Sequence, residues 1–170
     1  AELSPSGIGL IAVAMGPGSF TGLRIGMALA KGMALVHHLP IIGVPSLDIL
    51  AAAQQTAENP LVIVLRVGRD RLAAGWYKLE GQTWRMEEDI KVVTIQQLVD
   101  EISLSSRVCG ELTGEERDLF RLKRPDLILS SPAQSIRRPG FLAELAWKRW
   151  KTGSSDDPAS ISPLYLHYKD

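Results

Sequence analysis

Residues 16–35 read "GPGSFTGLRIGMALAKGMAL" and hold five of the chain's fifteen glycines. A glycine-rich turn that opens a helix can cradle a phosphate through backbone N–H groups. The stretch lacks the Lys-Ser/Thr ending of a Walker A loop. Gly16, Gly18 and Gly22 give GxGxxxG, which is not the dinucleotide spacing. What remains for the loop is anion or nucleotide contact at Gly16, Gly18 and Ser19. Behind it, Gly22, Gly26, Ala30 and Ala34 recur every four residues along one face of a predicted helix. Glycine in a helix interior costs about 1 kcal/mol relative to alanine. The stripe therefore calls for a close neighbour, either the chain's own second helix or a partner subunit. Leu23 and Met27 continue the apolar surface. Arg24 and Lys31 lie seven apart on an adjoining face, as polar partner contacts.

Outward from this helix the pattern is strand, helix, strand, helix. "GIGLIAVAMG" (7–16) and "PIIGV" (40–44) are short apolar runs bounded by Gly and Pro, as buried strands are. "SLDILAAAQQTA" (46–57) reads as a helix with Ser46 at its N-cap and Asp48 in its first turn. Mixed elements follow. "LVIVLRV" (61–67) is a strand, and "RLAAGWYKLEG" and "QTWRMEEDIKVV" form antiparallel strands around Glu80-Gly81. "TIQQLVDEI" is a helix capped by Thr94, "RVCGE" a strand, "TGEERDLFRL" a helix or turn, and "DLILS" a strand. A last helix starts at Pro139 and ends at Gly153. The tail from Ser154 is expected to dock. The class is α/β with a partly antiparallel sheet; a boundary near Glu58–Pro60 would divide 1–58 from 59–170, and one continuous fold is the equal alternative.

Composition narrows the function. Lys plus Arg and Asp plus Glu both number 19, so no global field favours nucleic acid or a membrane. The longest mostly apolar run, Ile8–Met15, is too short to span a bilayer and lacks a signal peptide's basic flank. Cys109 is the single cysteine, which excludes an internal disulfide and points to a reducing, cytoplasmic setting. His37, His38 and His167 show no metal-ligand spacing, so no metal or cofactor is expected. No GxSxG elbow exists, and no catalytic constellation emerges. One local asymmetry stands out. Residues 121–151 carry eight basic side chains against Asp126 and Glu144, with Trp147 and Trp150 interleaved. Arg137, Arg138, Lys148 and Arg149 are the candidate RNA contacts there.

"GPGSFTGLRIGMALAKGMAL" followed by "LPIIGVPSLDILA" resembles the TsaB (YeaZ) family of bacterial threonylcarbamoyladenosine biosynthesis in tRNA. Weaker similarity continues through "VCGELTG" to "ISPLYLH", covering essentially the whole chain. The resemblance implies the actin-like ATPase (ASKHA, ribonuclease H-like) superfold, with mixed sheets and flanking helices in two lobes. It implies a non-catalytic subunit that binds and activates the paralogue TsaD, alongside a TsaE-type ATPase, with a homodimer as its form when alone. Contact with tRNA would then run through the complex. The partner surface would be the helix carrying Gly22, Leu23, Arg24, Gly26, Met27, Ala30, Lys31 and Ala34. TsaD-type proteins carry His-x-x-x-His after the equivalent second strand, whereas "VPSLDIL" (44–50) holds no histidine. Departures are also present. The family's opening strand, its Asp-Thr-Ser-type turn and the hairpin after it have no counterpart ahead of the glycine run, so the N-terminal lobe is expected to be incomplete. Arg66 stands where the family has the Asp of Asp-Ala-Arg, and His167 replaces a terminal Arg. Two other functions compete, a nucleotide-binding ASKHA-type enzyme of ATP-dependent transfer and an RNA-binding module built on 121–151.

Overall fold

The computed structural model describes residues 7–102 and 105–166. His167 therefore lies outside the described residues. The glycine-rich stretch joins β1 (Ile11–Gly16) to α1 (Phe20–His37), which leads into β2 (Ile41–Pro45). β1 and β2 pair in parallel, Ile11 opposite Ile41 and Ala14 opposite Val44. Strand alternation sorts their side chains. Val13 and Ile41, with Ile11 and Met15, meet Met27, Ala30 and Ala34 of α1. Ala12, Ala14, Ile42 and Val44 face the other way. That second face is covered by α2 (Ser46–Ala52), through Ile49, and by the last helix (Pro139–Lys151), through Phe141, Leu145, Ala146 and Trp150. Gly43 permits the β2 packing, because a Cβ there would lie 2.5 Å from the Met15 sulfur and 2.8 Å from Ile161 Cδ1.

The second sheet begins with β3 (Leu61–Arg66), buried from Leu61 through Leu65. It pairs antiparallel with β4 (Leu72–Glu80), which carries both β5 (Thr83–Met86) and β6 (Lys91–Val93) on its far side. α3 (Ile95–Glu101) precedes β7 (Arg107–Gly110), which pairs in parallel with β3. α4 (Gly114–Lys123) leads to β8 (Ile128–Leu129), parallel to β7. A short 3-10 turn (Pro132–Ser135) then leads to the last helix, α5. Val62 and Val64 point to α3 and α4, packing with Leu98, Val99 and Phe120. Leu61, Ile63 and Leu65 point to α2, packing with Leu47, Leu50 and Tyr77. α2 thus touches both sheets, and α5 crosses back from the second half of the chain to the first sheet. Thr94 and Thr113 each form a capping box with Gln97 and Glu116.

Three local expectations change. Ser46 is the first residue of α2 and not its cap; Pro45 holds that position, and the buried Ser46 hydroxyl has no partner among the described residues. Burial between the sheets, not a side-chain cap, starts this helix. α2 also stops at Ala52, where Gln54 turns its amide back onto Leu50 and Gln134 carbonyls. The run 82–93 splits into β5 and β6, because Glu87, Glu88 and Asp89 favour solvent over a central ladder.

The tail docks on the first sheet. Asp156 bridges Ile41 and accepts from the Gly43 amide at 2.8 Å, while Arg149 donates to Asp156 at 2.5 Å and to the Gly43 carbonyl at 3.2 Å. These bonds occupy the outer edge of β2, a strand edge that would otherwise stand open. Asp156→Ala removes the acceptor from both the amide and the guanidinium. It is expected to lower stability by about 1–3 kcal/mol, read as a shift in the urea midpoint; an unchanged midpoint would show that the clip is idle.

Candidate functional site

α1 begins with Ser19, whose hydroxyl accepts from the Gly22 amide at 3.3 Å, and ends at His38 in the left-handed region. Its small-residue stripe is divided between two environments. Met27 and Ala34 are only 3% and 2% exposed, and Ala30 is buried beside them against β1 and β2. This corrects the expectation that they face a partner, since the chain's own first sheet takes them. Gly22 is exposed and Gly26 half-buried, and a Cβ at Gly26 would meet nothing within 4 Å. Leu23 folds over the loop, with Cδ1 2.9 Å from where a Gly16 Cβ would stand. Arg24 and Lys31 are also engaged within the chain. Arg24 Nε donates to the Tyr165 hydroxyl at 2.9 Å, and its guanidinium lies 3.7 Å over the Phe20 ring. Lys31 Nζ donates to the Ala159 and Ile161 carbonyls at 3.2 and 3.0 Å. Both hold the tail on α1.

Opposite the buried stripe, α1 presents a second apolar face. Ile25 and Leu29 are each 64% exposed and Val36 is 73% exposed, with Leu35 beside them and Ala28 and Gly32 between. Residues 25, 29, 32 and 36 follow the 3.6 period, so they form one continuous stripe. Sequence reasoning missed it because α1 is apolar on nearly every side. The signal was present as Ile25, Leu29 and Val36 at helical spacing, but nothing in the sequence distinguished the inward stripe from the outward one.

The glycine loop lies beneath side chains from the rest of the chain. Gly16 has φ +107°, where glycine is favoured. A Cβ on Gly18 would come 3.4 Å from Arg137 Nη1. A cavity of about 440 Å³ opens here between Gly18, Phe20, Leu23, Arg24, Val67 and Tyr165. Arg137 donates to Glu111 at 2.7 Å, Glu111 accepts from the Arg66 amide at 2.8 Å, and Arg66 donates to both oxygens of Glu116 at 2.6 and 2.8 Å. Burial would lift the Glu116 carboxyl, but Arg66 and the Thr113 amide outweigh it and hold the group below the ordinary glutamate range. A depressed folded-state value adds stability that is present above the unfolded value and lost as pH falls through the folded one. Glu116→Gln should therefore flatten the fall in the urea midpoint below about pH 4.5; a variant with the wild-type acid limb would refute the assignment.

The basic segment is largely neutralised within the chain. Arg137 meets Glu111, Arg138 donates to the Ala133 carbonyl, Lys148 pairs with Glu144 and Arg149 with Asp156. Glu111 and Asp156 lie outside the window in which the charge was counted. Trp147 remains half exposed, its ring centroid 5.0 Å from that of Trp150. Burial pushes the Cys109 thiol up from its ordinary value, which leaves it a poor nucleophile. Among the described residues no three His, Cys, Asp or Glu side chains gather as a metal site would require. No helix among them is long and apolar enough to cross a membrane. A further pair went unread in the sequence: buried Tyr77 donates to Asp48 Oδ1 at 2.7 Å.

Comparison with known proteins bears on these features. The family described as "TsaD: tRNA N6-adenosine threonylcarbamoyltransferase" matches residues 1–123. The chain is 36% identical over 170 residues to the tRNA threonylcarbamoyladenosine biosynthesis protein TsaB of Bacillus subtilis, covering 97% of this chain and 72% of that one. It is 40% identical over 172 residues to the uncharacterized protein Rv3421c of Mycobacterium tuberculosis, covering 69% of that protein. YeaZ from Pseudomonas aeruginosa superimposes with a TM-score of 0.75 at 23% identity, over 96% of this chain and 77% of that one. At that identity the superposition speaks for the fold alone.

Proposed function

The chain belongs to the TsaB (YeaZ) family and has its actin-like ASKHA fold, and from that premise we propose that it is a non-catalytic, cytoplasmic subunit of tRNA threonylcarbamoyladenosine biosynthesis that binds and activates a TsaD-type subunit. The observation that carries this reading is the outward face of α1, with Ile25, Leu29, Leu35 and Val36 standing in solvent. Burying a large aliphatic side chain contributes about 1.5–3 kcal/mol, so covering this stripe supplies several kcal/mol of association energy. Exposed apolar stripes of this kind mark interaction surfaces. The same stripe on a second copy serves a homodimer when the partner is absent. A TsaE-type ATPase joins the TsaD-bound form, and tRNA is met through the assembled complex.

The reading is tested by titrating this chain into a TsaD-type subunit in a calorimeter and by following tRNA modification with and without it. Saturable binding and a rate increase are expected, with no modification by this chain alone. Absence of both heat and rate increase would retire the reading. Gly26→Leu offers a second check. A side chain there has free space within the isolated fold, so the variant should keep its unfolding midpoint while the flank of the docking face becomes bulkier. Association should weaken about tenfold, and unchanged affinity would place the interface away from Gly26.

A further inference from the structure

Three adjoining cavities of about 280, 450 and 580 Å³ surround the start of α2, and all three are lined by Asp48 and Arg85. Thr83, Leu145 and Lys148 line two of them. No residue of α1 borders any of the three, so this cleft is separate from the docking face. Asp48 is held in place by Tyr77, whose hydroxyl donates to Oδ1, and no hydrogen bond to Oδ2 is made among the described residues. Arg85 forms no ion pair among those residues; burial lifts the Asp48 carboxyl above its ordinary value, and the Tyr77 hydrogen bond and then the Arg85 charge pull it partly back. Lys148 pairs with Glu144 one helical turn away, and both are more than half exposed; such a pair holds its partner weakly.

A carboxylate and a guanidinium thus border the same open space without a direct ion pair between them. A simple anion entering it meets Asp48, with Glu144 and Asp89 farther along the walls, and a simple cation meets Arg85, Lys148 and Arg149. A ligand with both charges on neighbouring atoms satisfies both ends. We propose that this cleft binds a free α-amino acid, its ammonium donating to Asp48 Oδ2 and its carboxylate accepting from Arg85. Thr83 lies two residues before Arg85 on β5, on the same strand face, Lys148 adds a second cation to the lining, and Leu145 supplies an apolar surface for the side chain. Charge-assisted hydrogen bonds of this type are stronger than neutral ones and orient the ligand.

The test is an amide-resolved NMR titration of the full chain with glycine, acetate and methylammonium, the smallest zwitterion and its two halves. Glycine should give saturable shifts around Asp48, Thr83 and Arg85 with a millimolar or lower Kd, and each half should bind at least about tenfold more weakly. Asp48→Asn keeps an acceptor for Tyr77, and Arg85→Gln lies on an exposed edge strand, so both variants retain the fold. Each should weaken glycine by at least about tenfold. Acetate binding as well as glycine would reduce the cleft to a simple anion site and overturn the proposal. So would glycine affinity unchanged in both variants, or no saturable response. Association with a TsaD-type subunit is measured separately, so either reading can fail without the other.

Discussion

Leu29→Glu should abolish measurable association with a TsaD-type subunit, weakening it by at least about a hundredfold, which corresponds to about 2.8 kcal/mol. Leu29 stands one turn beyond Ile25 and two turns before Val36, at the middle of the outward stripe. The substitution removes a buried leucine contact worth about 1.5–3 kcal/mol and places an unpaired carboxylate in an apolar interface at a cost of several kcal/mol more. The isolated chain should be unaffected, because an exposed substitution away from caps and cores changes stability by about 0.5 kcal/mol or less. Leu122→Glu provides the comparison: Leu122 is more exposed still, but it lies on α4 over the second sheet. Calorimetric titration of both variants decides the matter. Equal affinities would mean that the outward face of α1 is not where the partner sits.

Gly110→Ala is expected to yield no folded protein. Gly110 has φ +141°, a region that side-chain-bearing residues rarely adopt, and a Cβ there would stand 1.9 Å from the Val64 carbonyl oxygen. That oxygen belongs to the central strand β3, opposite Gly110 in the β3–β7 ladder, and it accepts from the Glu111 amide. No rotation relieves the clash, since the Cβ position is fixed by the Gly110 backbone and its partner is a backbone carbonyl. The two strands must part where Val64, Val108 and Phe120 share a core. A loss of more than about 4 kcal/mol is expected, against a total stability of about 5–15 kcal/mol for a domain of this kind. Gly114→Ala, with nothing within 4 Å of its Cβ, should fold normally. Circular dichroism and soluble yield separate the two, and a native Gly110→Ala spectrum would refute the packing argument.

The element order was legible because periodicity reports burial directly. "LVIVLR" reads as a strand from its short apolar run, and Thr94 marks the start of its helix, whereas "TGEERDLFRL" stays open between helix and turn until the Thr113 capping box closes it. Less was legible at the candidate site, for physical reasons. Met27, Ala30 and Ala34 share a helix with Ile25, Leu29 and Val36, and both stripes are apolar. Which of them turned inward depended on how α1 settled on β1 and β2, which are pairing partners 30 residues apart. The partners of the basic segment were not legible because ion pairing ignores sequence windows; Arg137 finds Glu111 and Arg149 finds Asp156. The Asp48–Tyr77 bond joins residues on α2 and β4 that no local pattern links.

The return of α5 to the first sheet has a consequence for synthesis. Chains emerge from the ribosome N-terminus first, and early segments tend to fold before later ones appear. Here β1, α1 and β2 are made before β3 to β8, but one face of their sheet is covered only by Ile49 of α2 until Phe141, Leu145 and Ala146 have been made. The second sheet, continuous from β3 to β8 in sequence, can close before that. The vectorial order of these two sheets is therefore reversed: the one made later consolidates earlier, and the one made earlier waits, with Ala12, Ala14 and Ile42 only partly covered, for α5 to arrive.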